Sequence, residues 1–323
     1  MKILVVFTGG TIGSVRKGGI ISPDDSRAYT LLEMYGNIRK TAEFTAVCPY
    51  TILSENLCRD NLVKLYECIR SYNIEEYDGV IVTHGTDTLQ YTSSFLGYAF
   101  SDCKKPIIVV SANYPLDDSR SNGLINFAAA MDFISSGCGN GVFAAYANIG
   151  ENPKIHRAVR LLAHMSYSDD VCSIFNSFYG EISGDVFVKN SAFREADNKL
   201  CFKHPIILSE SSDVIKLTPY VSMAYPLITS EIKAVLIEGY HSGTLNTNGS
   251  DLIDFCREAN KLNVPVFLTG ASEGFYYESK LLFDELKIRV LPPASPIAMY
   301  MKLWMLDREH IQDVYLPCSG DFI

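Results

Sequence analysis

The chain has 323 residues, 47% hydrophobic and 20% charged, which suits a globular protein of one large or two smaller domains with a substantial core. Its formal net charge of -9 argues against a nucleic-acid partner, because phosphate binding needs clustered Lys and Arg. No apolar run is long enough for a membrane span, and strand-forming residues start straight after Met1-Lys2, with no signal peptide before them. A cytoplasmic protein acting on a small molecule, with no membrane partner, is the expectation.

Taken in chain order, the first part alternates strand and helix. Ile3–Phe7 is a continuous apolar run of the kind found in buried parallel strands. Residues 59–71 carry Leu62, Leu65, Tyr66 and Ile69 at helical spacing. Val80–Val82 is a strand, residues 88–100 a helix, and Pro106–Val110 another buried strand. Residues 121–136 are helical and stop at Gly137, and residues 141–146 return to strand. The pattern lapses around 190–212 into a polar stretch that reads as a linker. A second alternating unit follows, with strands at 214–218, 234–238 and 264–269 and helices at 251–262 and 297–307. Such alternation predicts mainly parallel sheets with crossover helices. The expected architecture is α/β in two tandem domains: residues 1–190, a linker at 191–211, and a smaller unit at 212–323. The nine cysteines are scattered without a CxxC pair, so the reading is buried, reduced thiols and no zinc site.

Two clusters stand just past apolar strands: Thr8-Gly9-Gly10-Thr11-Ile12-Gly13 and Thr83-His84-Gly85-Thr86-Asp87-Thr88. Loops leaving the carboxyl ends of strands line the ligand crevice of an open α/β sheet, and glycines let backbone approach a ligand closely. The first spacing is neither GxGxxG nor a Walker loop, so phosphate or dinucleotide binding is disfavoured and no cofactor is expected. Thr11 is then a candidate reactive hydroxyl, and residues 14–19, polar and glycine-bounded, a candidate flap. In the second cluster Thr86 and Thr88 have a plain alternative role as caps of the next helix. His84 reads as a satisfied interior histidine rather than a base.

The two clusters, in this order, resemble the bacterial-type L-asparaginases of the cytoplasmic type I branch. The resemblance continues through Lys105-Pro106-Ile107-Ile108-Val109, Pro115-Leu116, Arg120-Ser121-Asn122-Gly123 and Asn126, and more weakly to the end of the chain. It implies an asparaginase-like fold, assembly as a homodimer or homotetramer, and an amidohydrolase converting L-asparagine to L-aspartate and ammonia. By the same resemblance Thr11 matches the nucleophile, Thr86 the second essential threonine, and Asp87 the acid that holds the substrate's α-ammonium. Ser54 and Glu55 resemble the segment holding the α-carboxylate and α-ammonium. The assignment is chemically coherent, since a zwitterion needs an acid for its ammonium and neutral donors for its carboxylate.

Two activating groups depart from the family pattern. Lys17-Gly18-Gly19-Ile20-Ile21 stands where the flap tyrosine is expected, and the first tyrosine is Tyr29. No lysine occurs between Lys154 and Lys189, where the family carries one beside the second threonine and aspartate; Arg160, His164 and Ser166 lie nearby. The leading expectation is therefore an amidohydrolase, and its rival a protein of the same fold that binds a small amino acid as a sensor. An amidase component of a tRNA-dependent amidotransferase ranks third, against which stand the acidic balance and the lack of an extra amino-terminal domain. Gly239–Thr244, after a strand of the second unit, matches a loop that closes a neighbouring subunit's site in the family. Tyr276-Tyr277-Glu278 reads as covering a core edge, and Met301 and Trp304 as packing.

Overall fold

The computed structural model describes residues 1–10, 12, 14–17, 20–23, 27–39, 42–195, 198–271 and 277–323. The chain opens with β1 (Lys2–Phe7), a hairpin of β2 (Ser14–Lys17) and β3 (Ile20–Pro23), α1 (Arg27–Ile38) and β4 (Glu43–Val47). Then come α2 (Arg59–Arg70), β5 (Gly79–Thr83), α3 (Leu89–Ala99), β6 (Pro106–Val110), α4 (Gly123–Ser136) and β7 (Gly141–Tyr146). Three short strands follow, β8 (Lys154–Arg157), β9 (Gly180–Ser183) and β10 (Val186–Lys189). The second unit comprises β11 (Val214–Leu217), β12 (Ala234–Glu238), α5 (Asp251–Lys261), β13 (Val266–Thr269), β14 (Ile288–Val290) and α6 (Pro296–Met305).

Alternation along the buried strands decides the layering. Ile3, Val5, Ile81, Ile108 and Val110 face a core covered by α1 and α4. Leu4, Val6, Val80, Val82, Ile107 and Val109 face the opposite core, which α2 and α3 share. That second core does not stop at the first sheet. It runs on through Ala298, Met299 and Met301 of α6 to Val214, Ala234, Leu236 and Phe267 of the second sheet. The remaining face of the second sheet buries Val235, Ile237, Val266 and Leu268 against Leu252, Phe255, Cys256 and Ala259 of α5. Apolar runs without alternation in polarity therefore mark strands covered on both sides.

The first sheet has the order β10-β9-β8-β7-β6-β5-β1-β4. β4, β1, β5, β6 and β7 are parallel. The chain leaves β1 for β4 on one side and later returns to β5 on the other, so the carboxyl ends of β1 and β5 flank the point where the strand order reverses. Ligand crevices of open parallel sheets form at such points.

Several expectations need correction. The sheet is extended by antiparallel pairing of β7 with β8, β8 with β9 and β9 with β10, which the parallel reading does not include. β4, α1 and β14 are further elements beyond the expected set. The candidate flap is a β-hairpin, Ser14–Lys17 against Ile20–Pro23, with Gly18 and Gly19 outside the described residues. The polar stretch after β10 is not a free tether: Ile206 and Leu208 are buried in the shared core, and Arg59 Nε donates to Leu208 O at 3.2 Å. Buried thiols prove the exception, because Cys256 and Cys318 are buried whereas Cys48, Cys58, Cys138, Cys172 and Cys201 are exposed; all nine are free. Met301 is buried as expected, and Trp304, half-buried, packs against the same core. Tyr277 and Glu278 are exposed rather than laid over a core edge, and Tyr276 lies outside the described residues.

The carboxyl-terminal segment is latched to both units. Lys302 Nζ donates to Asp321 Oδ2 and to Leu316 O, each at 2.6 Å, and Tyr98 of α3 donates to the same carboxylate oxygen at 3.2 Å. Asp321 Oδ1 accepts from the backbone of Cys318 and Phe322, both at 3.0 Å. Lys302 and Asp321 are completely buried.

Candidate functional site

Three loops meet above β1 and β5. The backbone after β1 pairs with residue 52, Ile52 N donating to Thr8 O at 3.2 Å and Gly10 N to Ile52 O at 2.9 Å. Thr8 is buried, and its hydroxyl donates to Thr83 O at 2.7 Å, tying the end of β1 to the end of β5. Gly10 has φ +73°, and a Cβ there would lie 2.3 Å from Gly85 N. A Cβ on Gly85 would in turn lie 2.4 Å from Ser54 Oγ. Only glycine permits this stack of backbone on backbone. The sequence places glycine in both motifs because the two loops touch there.

In the second loop, His84 N donates to Val110 O at 2.8 Å. Its Nδ1 lies 2.8 Å from Gly85 O and its Nε2 2.8 Å from Thr92 Oγ1. A neutral ring satisfies both, Nδ1–H donating to the carbonyl and the Thr92 hydroxyl donating to Nε2. Burial holds its pKa down to about 4. His84 is thus a saturated interior histidine, and no lone pair is left for general-base work. Thr88 occupies the N-cap position of α3 but makes no side-chain cap there. Its hydroxyl instead donates to Ser54 O at 2.8 Å, fixing the third loop to the second. Sequence reading misses this role, since the partner is distant in the chain and a threonine before a helix signals a cap first.

The candidate side chains fall out as follows. Ser54 is buried, and its hydroxyl lies 3.5 Å from Asp87 Oδ2, a bond at the outer limit. Asp87 and Glu55 are exposed, and Thr86 is half-buried between Asp87 and the Gly10–Gly85 contact. The structure therefore brings Ser54 to Asp87 and to the Gly85 backbone, with Glu55 on the same turn as Ser54 and Thr86 between Gly85 and Asp87 in the chain. Thr11 lies outside the described residues; its neighbour Gly10 is stacked on Gly85. The rim is held by an asparagine clamp that sequence reading uses only for resemblance. Asn122 Oδ1 accepts from Asn113 N at 3.0 Å and Asn126 Oδ1 from Ala147 N at 2.7 Å. Their Nδ2 groups donate to Ala147 O at 3.0 Å and Ser111 O at 2.8 Å, which joins the loops after β6 and β7. Among the described residues no group of His, Cys, Asp and Glu is arranged to hold a metal ion.

Comparison with known proteins decides the family. The family model described as "Asparaginase, N-terminal" matches residues 2–191, more than half of the chain. This chain belongs to the asparaginase family. It is 26% identical, over 97% of its length and 72% of the relative's, to a glutamyl-tRNA(Gln) amidotransferase component of Sulfolobus acidocaldarius. It is 25% identical, over 85% of its length and 81% of the relative's, to an L-asparaginase of Thermococcus kodakarensis. The solved structure of the thermostable L-asparaginase from Thermococcus kodakarensis superimposes with a TM-score of 0.76 at 22% identity, covering 100% of this chain and 99% of that one. The asparaginase fold expected from the two motifs is the fold observed.

Among the described residues Asp87 makes no ion pair. Arg160 is buried elsewhere, its Nε donating to Gly320 O at 2.7 Å and its Nη2 to Arg194 O at 2.6 Å. His164 Nε2 lies 2.9 Å from Ser168 O, and Ser166 is exposed. None of the three is bonded to Thr86 or Asp87. No helix among the described residues is long and apolar enough to cross a membrane.

Proposed function

We propose that this protein hydrolyses the side-chain amide of L-asparagine, giving L-aspartate and ammonia. The observation that supports the reading is the stack of Gly10 on Gly85 and of Gly85 on Ser54, with Ser54 in turn beside Asp87, at the strand-order reversal. In this reading Asp87 and Glu55 take the α-ammonium, and Ser54 with backbone N–H groups takes the α-carboxylate. The hydroxyl oxygen of Thr11 attacks the amide carbon, its proton leaving with the departing ammonia. Water then cleaves the resulting ester, releasing aspartate and restoring the hydroxyl. Thr86 is the second hydroxyl at the reacting centre. Residues 1–190 carry every one of these groups, residues 191–211 connect, and residues 212–323 complete the fold. We also place the protein in the cytoplasm as a homodimer or homotetramer, and sedimentation of the purified chain tests that assembly.

A second reading has its own observation: an exposed Asp87 with no ion pair among the described residues. Loss of general-base assistance costs 10²–10⁴-fold, about 3–5 kcal/mol in the barrier, so the same pocket without an activator binds an amino acid and turns it over slowly or not at all. Ammonia release from asparagine and glutamine separates the two. Release abolished by Thr11→Ala and by Thr86→Ala supports the enzyme, and activity surviving both removes the site assignment. No release, with aspartate still raising the melting temperature, supports the sensor. An unchanged rate in His164→Ala shows that this histidine does not replace the missing lysine. The amidotransferase relatives give the amidase-component reading more weight than the acidic balance took from it. Release from glutamine in preference to asparagine would favour that reading.

A further inference from the structure

A groove of about 630 Å³ lies between residues 200–209 and the carboxyl end of α6, and it shares no residue with the site above. That volume is typical of small-molecule pockets. Its walls include Phe202, Ile207, Trp304 and Leu306, and Ile207 is 78% exposed on the rim. Ile207 is not isolated there: with Phe202, Trp304 and Leu306 it makes an apolar wall to one groove.

The charges around the groove are unevenly engaged. Asp213 is paired with Lys233, whose buried ammonium lies 3.0 Å from its carboxylate and also donates to Trp304 O at 3.0 Å. Asp307 is paired with His310, Nδ1 to Oδ1 at 2.8 Å. Arg308, by contrast, is anchored through Nη2 alone, which donates to the carbonyls of Ser230, Glu231 and Ile232 at 3.1 to 3.2 Å. Its Nε and Nη1 groups have no acceptor among the described residues. Lys203 has no carboxylate partner there either, and Asp313 is the one rim acid without a cation. With Nη2 held by three carbonyls, the guanidinium is fixed in place and keeps an N–H on Nη1 for one charge-assisted hydrogen bond to a carboxylate.

We propose that this groove binds a small amphipathic carboxylate, its head on Arg308 and its apolar tail along Phe202, Ile207, Trp304 and Leu306. The two halves of the ligand answer the two observations separately, the apolar wall and the unengaged guanidinium.

Trp304 is the only tryptophan in the chain and lines this groove, so tryptophan fluorescence reports from it. The full-length protein is titrated with octanoate, kept below micelle-forming concentrations, and with octylamine as the same tail under an opposite head. The expected result is a saturable change with octanoate and binding of octylamine weaker by at least about tenfold, the loss of one charge-assisted hydrogen bond. Arg308→Gln should weaken octanoate by a similar factor. Ile207→Glu, on an exposed position that leaves packing intact, should abolish the saturable change while the far-UV circular dichroism stays the same. A linear response without saturation, an equal response to octylamine, or an Ile207→Glu variant that binds octanoate normally would each overturn the proposal. Ammonia release plays no part in this readout, so its failure and that of the proposed hydrolysis are told apart.

Discussion

The carboxyl-terminal latch and the loops over the first sheet are both rich in polar groups, yet they use their hydrogen bonds in opposite ways. In the latch the side chains are saturated: Lys302 and Asp321 satisfy each other and four further groups while fully buried. In the loops it is the backbone that is saturated, through Thr8, Gly10, Ile52 and Ser54, while the carboxylates of Glu55 and Asp87 are left exposed. Saturated side chains specify the fold. Free side chains on a backbone held from three directions are what a binding site requires. The contrast can be broken or sharpened by substitution on each side of it.

The largest effect should come from the latch. Lys302→Met leaves Asp321 buried without a cation, and breaking such a pair costs about 3–5 kcal/mol. Scanning calorimetry should show a fall in melting temperature on the order of 10 °C. The increment that saturating aspartate adds should survive in this variant. If aspartate no longer stabilises it, latch and loops are one cooperative unit and the contrast fails.

Next comes the stack itself. Gly10→Ala puts a methyl group 2.3 Å from Gly85 N at a φ of +73°. Left-handed strain and displaced backbone together cost about 2–5 kcal/mol. Gly137→Ala is the control, because its φ is +64° but nothing lies within 4 Å of the new carbon. There only the strain remains, about 1–2 kcal/mol. Aspartate should stabilise the Gly137→Ala protein and not the Gly10→Ala protein, as thermal melts with and without aspartate would reveal.

These two glycines also show what a sequence discloses. Gly137 after a helical stripe is legible as a stop signal, and its left-handed φ follows. Gly10 announces a turn, but its contact with Gly85 joins positions 75 residues apart that no local pattern links. The buried parallel strands are legible because Ile3–Phe7 and Pro106–Val110 are apolar without interruption. β8 is not, since Lys154-Ile155-His156-Arg157 is short and mixed, and only pairing with β7 and β9 makes it a strand. Asp87 stands out in its strand-end motif whereas Ser54 is legible only through family resemblance, and their proximity rests on Thr88, whose hydroxyl does something its helix-start position does not signal. The shared core is hidden for a similar reason: an apolar stripe on α6 shows that a face is buried, not that it is buried between two sheets.

A smaller effect tests His84 through pH. Burial holds its folded pKa at about 4, below the ordinary histidine value of about 6.5. The unfolded chain therefore binds this proton first. The contribution to stability is complete above roughly pH 6.5 and is lost as pH falls toward 4, at most about 3 kcal/mol. His156, likewise buried and lowered to about 3, acts in the same direction. His84→Gln should flatten, without abolishing, the decline in melting temperature across that window. The pH profile of ammonia release should show no inflection that this substitution removes.

The smallest change in stability should come from Asp87, the acid of the proposed site. Asp87 is exposed, and its side chain's one bond within the described residues is the 3.5 Å contact from Ser54. Removing a group so lightly engaged shifts stability by no more than about 0.5 kcal/mol. Asp87→Asn keeps the shape and an acceptor for Ser54 while deleting the charge, so the free protein should melt as before. Its response to ligand should differ sharply. Wild-type protein at an aspartate concentration about a hundred times Kd gains about 2.7 kcal/mol, and a variant that cannot pair the α-ammonium should lose most of that gain. Thr86→Val separates charge from hydroxyl: it should leave both the free melting point and most of the aspartate response intact, while ending ammonia release. An Asp87→Asn protein that melts as low as Lys302→Met would make Asp87 a structural group. The exposed acids of the loops would then no longer be distinguishable from the buried pair of the latch.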